Sequence, residues 1–118
     1  MRIGELADKA GVSVRALRYY EEQHLLAAQR TPSGQRTYPE PAVDRVQLIQ
    51  QLYAAGLTSR TILELLPCVD AKASTPESRA VLAAERERID QQITGLLATR
   101  DRLDAVISST YDSSCAQI

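Results

Sequence analysis

The residues best placed to do chemistry in this 118-residue chain are arginines and tyrosines at helical spacing. Val14, Arg15, Arg18 and Tyr19 fall on one side of a stretch whose other side carries Leu17 and Tyr20. Guanidinium groups shown that way supply donors for phosphate oxygens and for guanine edges. Ser13, just before them, counts among the candidate DNA-binding residues and also suits an N-cap, since its hydroxyl can accept an orphan N–H of the first turn. Arg30, Arg36 and Tyr38 bracket a turn at Pro32, Ser33 and Gly34. Arg60 lies in the first turn of a later helix, where free N–H groups beside a guanidinium suit a phosphate. The alternative for the Val14 face is an ordinary corner between two helices with a solvated charged side; for Arg60 it is a plain surface arginine. Bond-making chemistry has no comparable candidate. There is one histidine, His24, and no nucleophile–base pair, phosphate loop or ligand cluster stands out. The reading is therefore no enzyme, no cofactor and no metal.

Short helices must position these residues. Leu6, Ala7 and Ala10 form one apolar face of a first helix, and Gly11 marks the swing of the backbone at its end. Val12 can fill the space between that helix and the next, which starts after Ser13 and ends near Gln23 or His24. His24, at that end, reads as a partner for the helix dipole. Residues 27–38 predict a two-armed β-hairpin, a wing whose arginines reach phosphates flanking the groove that the helix occupies. The alternative is a solvated loop. Pro39 and Pro41 open a third helix with Ala42, Val43, Val46, Ile49, Leu52 and Tyr53 at a 3.6-residue period, and Gly56 stops it. Thr58 caps a fourth helix carrying Ile62, Leu63, Leu65 and Leu66, which Pro67 is expected to end. Residues 68–74 read as a linker. Thr75 and Pro76 then open a proline-free stretch to about Ser109. Leu82, Ile89, Leu96 and Leu103 recur every seven residues, and Ile93, Leu97, Val106 and Ile107 widen the stripe. Such a helix of roughly 33 residues is about 50 Å long. A 70-residue head cannot bury that whole stripe, so the stripe needs a partner, most simply its own copy. The expected organisation is a DNA-binding head over 1–70 and a dimerisation helix with a short polar tail over 71–118.

Composition bounds the class. Charged residues are 25%, hydrophobic residues 44% and aromatics only 4%, all tyrosine, so the core is aliphatic. Net charge is −1, but it is uneven. Residues 1–60 hold eight basic and six acidic side chains, a net +2; residues 61–118 hold six and nine, a net −3. The positive half coincides with the expected reading head. No apolar run approaches a membrane span, and no signal-peptide pattern opens the chain. A cytoplasmic protein with no membrane partner is expected. Cys68 and Cys115 are far apart and in no C-x-x-C arrangement, which in a reducing cytosol reads as thiols.

The run RIGELADKAGVSVRALRYYEEQHLL, a wing with SGQRTY, then RVQLIQQLYAAGLT and a terminal heptad helix resemble the MerR family of bacterial transcription regulators. The resemblance covers nearly the whole chain. It implies a mainly α fold: a winged helix-turn-helix head with a small hairpin wing and a long C-terminal antiparallel coiled-coil dimerisation helix. It implies double-stranded DNA and a second copy of the chain as partners, RNA polymerase at the promoter as a further one, and a pseudo-palindromic element that the protein distorts. On it, Val14, Arg15, Arg18 and Tyr19 face the major groove, Arg30, Arg36 and Tyr38 serve the wing, Arg60 holds phosphate, and Tyr20 packs inward. Metal-sensing members carry paired cysteines in a loop after the long helix; here only Cys115 follows it, so no metal site is expected. Two alternatives stay open: a thiol-responsive regulator in which Cys68 meets Cys115 of the partner subunit across antiparallel helices, and an architectural DNA-bending protein.

Overall fold

A computed structural model describes residues 1–111. Among them run α1 (Ile3–Ala10), α2 (Val14–Glu22), β1 (Gln29–Arg30), β2 (Arg36–Thr37), α3 (Ala42–Ala54), α4 (Ser59–Asp70) and α5 (Pro76–Tyr111). The chain divides into two units, Met1–Ser78 and the part from Arg79 onward.

Local chemistry sets the first turn of the head. Gly11 takes φ +74°, and its N–H and that of Val12 both reach the Ala7 carbonyl, at 2.9 and 3.0 Å. This left-handed residue closes α1 at little cost because glycine carries no Cβ. Ser13 then caps α2 through Oγ, which accepts from the Ala16 N–H at 3.0 Å. The end of α2 is less ordinary. His24 itself adopts φ +62°, and Leu25 N–H returns to the Tyr20 carbonyl at 2.9 Å. His24 thus turns the chain with its backbone, where a glycine is the common choice.

Leu6 and Ala7 of α1, Leu17 of α2, Val46 and Ile49 of α3 and Ile62 and Leu66 of α4 close the core of the head. Tyr20 stacks on Tyr53 with ring centroids 5.8 Å apart, joining α2 to α3. Arg45 pairs with Asp70, tying α3 to the end of α4. The wing is a minimal antiparallel pair, Gln29 opposite Thr37 and Arg30 opposite Arg36. Its turn is closed by Thr31 N–H to the Gln35 carbonyl at 2.8 Å, with Gly34 at φ +86°. Beyond β2, Tyr38 N–H donates to the Met1 carbonyl at 2.7 Å, and the Met1 amino group donates to the Tyr38 carbonyl at 2.8 Å. The residue ahead of α1 is thereby fastened to the outgoing arm of the wing.

One boundary differs from the sequence expectation. Pro67 does not end α4, which continues through Cys68 to Asp70. Proline removes one helical hydrogen bond, that to the carbonyl of Leu63. Leu63 and Pro67 are both exposed, on the outer side of the helix, and the helix tolerates the loss. Cys68 accordingly sits on a helix and not in a linker.

The helix α5 spans 36 residues, about 54 Å by its rise per residue. Thr75 and Ser78 cap its start reciprocally: each hydroxyl accepts the other's N–H at 3.0 Å. None of its side chains is buried. Leu82, Ile93, Leu96, Leu103, Val106 and Ile107 stand exposed, Leu96 at 69%, and Ile89 is half-buried.

Candidate nucleic-acid interface

Helix α2 has two faces, and its sequence dictates which is free. Leu17 and Tyr20, three apart, are buried; Arg15, Arg18 and Tyr19 are exposed and Val14 partly so. Among the described residues no carboxylate forms an ion pair with Arg15 or Arg18. Their charge is therefore available to an anion. Ser13 remains exposed, but its oxygen is committed to the cap. Tyr19 lies at the join of two helices. Its hydroxyl is 3.4 Å from Ser59 Oγ, which also hydrogen-bonds the Tyr53 hydroxyl. The start of α4 is thus held beside the exposed face of α2. Arg60, the next residue, has its side chain 91% exposed and only a loose 3.8 Å contact with Glu64 one turn on.

The wing requires a correction. Tyr38 is not a surface contact: it is 1% exposed, one of the largest fully buried side chains of the head. Its hydroxyl donates to Glu21 Oε1 of α2. Burial, followed by this hydrogen bond to a carboxylate, pushes its pKa up to about 12. Glu21 Oε2 in turn accepts from Arg36 Nη1 at 2.9 Å. A single carboxylate therefore locks the outgoing wing strand to α2. Arg36 keeps its place beside the reading helix, with part of its charge offset by Glu21. Arg30 folds back, Nη1 donating to the Gly34 carbonyl at 3.0 Å, and stiffens the wing tip.

The head thus brings Arg15, Arg18 and Tyr19 together on α2, sets Arg36 beside them, and keeps Arg60 near through Ser59. It removes Tyr38. Sequence reasoning missed Glu21, whose partners lie 15 and 17 positions away. It also left Arg2 without a role. The Arg2 guanidinium reaches the wing turn, donating to Gln35 Oε1 at 2.8 Å.

Cys68 is half-buried with Sγ 3.8 Å from Thr75 Oγ1; Cys115 lies outside the described residues. Among the described residues no group of three or more His, Cys, Asp or Glu side chains comes together.

A family profile described as MerR HTH family regulatory protein matches residues 1–67. A second, described as MerR, DNA binding, matches residues 43–106. The chain belongs to the MerR family. The mercuric resistance operon regulatory protein of Bacillus cereus is 44% identical over 70 residues, covering 58% of this chain and 53% of that protein. The HTH-type transcriptional regulator ZntR of Escherichia coli is 31% identical over 119 residues, covering 96% and 84%. Among solved structures, the transcription regulator PbrR691 from Ralstonia metallidurans CH34, in complex with Lead(II), superposes with a TM-score of 0.82 at 30% identity, covering 92% of this chain and 86% of that one. The chain spans about half the length of several curated relatives that it matches. The mainly α architecture, helix-turn-helix head, hairpin and long C-terminal helix, is that of the MerR family.

Proposed function

We propose that this MerR-family chain is a dimeric regulator of transcription that binds double-stranded DNA at a pseudo-palindromic promoter element and distorts it. The observation that carries the reading is the exposed face of α2, where Arg15 and Arg18 form no ion pair among the described residues, beside a wing locked to the same helix through Glu21. An α-helix fits the major groove, and a basic side chain at its rim takes phosphate. Arg36 of the wing and Arg60 at the start of α4 add positive charge. The second copy is argued from α5. A helix this long that buries none of its leucines needs another apolar stripe, and an antiparallel coiled coil with itself supplies one.

Two heads carried by one dimer read two half-sites, whose major grooves then face the protein about 34 Å apart or at a multiple of that. Most contacts made this way go to phosphate. Sequence discrimination therefore leans on how readily the spacer deforms, which suits a regulator that acts by reshaping a promoter for RNA polymerase. No helix among the described residues is long and apolar enough to cross a membrane, and the reading places the protein in the cytoplasm, without catalytic activity.

The test is equilibrium binding to a duplex taken from the region upstream of the protein's own gene, measured across a potassium chloride series. Binding should fall steeply with salt, and Arg18→Ala should lower the log–log slope by about 0.9 for each phosphate left without its arginine. A slope that Arg18→Ala leaves intact removes α2 as the reading element. A footprint inside a promoter spacer supports gating of polymerase; footprints only at recombination junctions support the architectural alternative.

A further inference from the structure

The sequence points to phosphate-binding residues on α2, the wing and α4. A cleft of about 280 Å³ in the head adds a contributor from none of these. It is lined by Arg2, Ile3, Arg18, Gln35, Arg36 and Tyr38. Three arginines line it, from the N-cap of α1, the middle of α2 and the second wing strand, and no carboxylate is in its lining. Glu21 offsets Arg36 from behind, whereas neither Arg2 nor Arg18 has an ion pair among the described residues. The cleft therefore keeps a strong excess of positive charge.

Its geometry is fixed by backbone. Tyr38 N–H donates to the Met1 carbonyl and the Met1 amino group donates to the Tyr38 carbonyl, a pairing like that of two residues in an antiparallel ladder. Arg2 is thereby carried to the wing, and its Nη2 donates to the Gln35 amide oxygen at 2.8 Å. That amide orients one edge of the guanidinium without neutralising it. An oxyanion entering the cleft meets arginines from three elements, with Arg2 and Arg36 each held by a hydrogen bond.

We propose that Arg2 completes a phosphate seat between the recognition helix and the wing, so that one backbone phosphate of each half-site is held jointly by Arg2, Arg18 and Arg36. This rests on the DNA-binding reading and adds a residue to it. The contact is to phosphate, so it adds grip without base preference.

The experiment uses the full chain and two duplexes, one from upstream of its own gene and one of the same composition with shuffled sequence. Affinities are measured over a salt series for wild type and for Arg2→Gln, Arg2→Lys and Arg18→Ala. Arg2→Gln should weaken binding to both duplexes several-fold and lower the salt slope by less than about 0.9 per head, because Arg18 and Arg36 still face the shared phosphate. Arg2→Lys, which keeps the charge, should retain the slope. The affinity ratio between the two duplexes should not change. If Arg18→Ala lowers the slope and Arg2→Gln does not, the seat is wrong and the DNA reading stands. If Arg2→Lys reproduces the Arg2→Gln loss, the charge at position 2 is not what grips the DNA and the assignment is overturned. If wild type binds neither duplex, the DNA reading fails and this proposal with it. The thermal midpoint of Arg2→Gln should match wild type, since the hydrogen bond it removes is exposed.

Discussion

Removing the Glu21 carboxylate should destabilise the head by about 2 kcal/mol, and the source of that loss can be isolated. The Glu21 side chain is 14% exposed and holds two partners that differ in environment. Tyr38 is in the core, and Glu21→Ala strips its hydroxyl of the only hydrogen-bond partner seen for it among the described residues. A buried donor left without an acceptor costs about 1–3 kcal/mol. Arg36 is 53% exposed, and a pair of that kind is worth about 0–1 kcal/mol. Most of the effect must therefore pass through Tyr38. The assay is urea unfolding of wild type, Glu21→Ala, Tyr38→Phe and the double variant at one protein concentration, because a dimer's stability depends on concentration. In the Tyr38→Phe background, Glu21→Ala should cost about 1 kcal/mol or less, leaving a coupling energy on the order of 1–2 kcal/mol. A coupling near zero would refute the reasoning, since it would mean that the hydroxyl does not depend on the carboxylate.

Alkali should weaken the head through the same tyrosine. Tyr38 has its folded pKa raised from 10.0 to about 12, so the stability tied to its proton is intact below pH 10 and is lost as pH rises towards 12. Tyr38→Phe should flatten the urea midpoint over that window, with a residual slope from Tyr20, which burial and Tyr53 also raise. Gly11→Ala should cost about 1–2 kcal/mol by thermal melting, all of it backbone strain, because an added Cβ meets nothing within 4 Å while φ stays at +74°. Leu96→Asp should give monomers in sedimentation analysis and lose tight binding to the upstream duplex; a variant that stays dimeric puts the seam elsewhere on α5.

Legibility followed the range of the interactions. The first turn of the head could be read directly, since Ala7, Gly11, Ser13 and Ala16 satisfy one another within a few residues. The alternation of Leu17 and Tyr20 with Arg15, Arg18 and Tyr19 likewise declared which side of α2 faces inward. The heptads of α5 needed only counting. Tyr38 was misread because tyrosine serves a surface and a core equally well. What decides between them is Glu21, which reaches it through the fold and not along the chain. Arg2 was silent for the same reason: its place is set by a backbone exchange between Met1 and Tyr38, 37 positions apart. Pro67 misled because proline removes one helical hydrogen bond, and the other bonds of α4 carry the helix past it to Asp70.

The bare stripe of α5 also bears on how the protein meters itself. A rod that shelters none of its own leucines owes its order to whatever sheathes it, and here the sheath we propose is another molecule of the same kind. At low copy number the paired species grows with the square of the total, so halving the supply leaves about a quarter of the working form. A regulator made this way has a threshold written into its stalk.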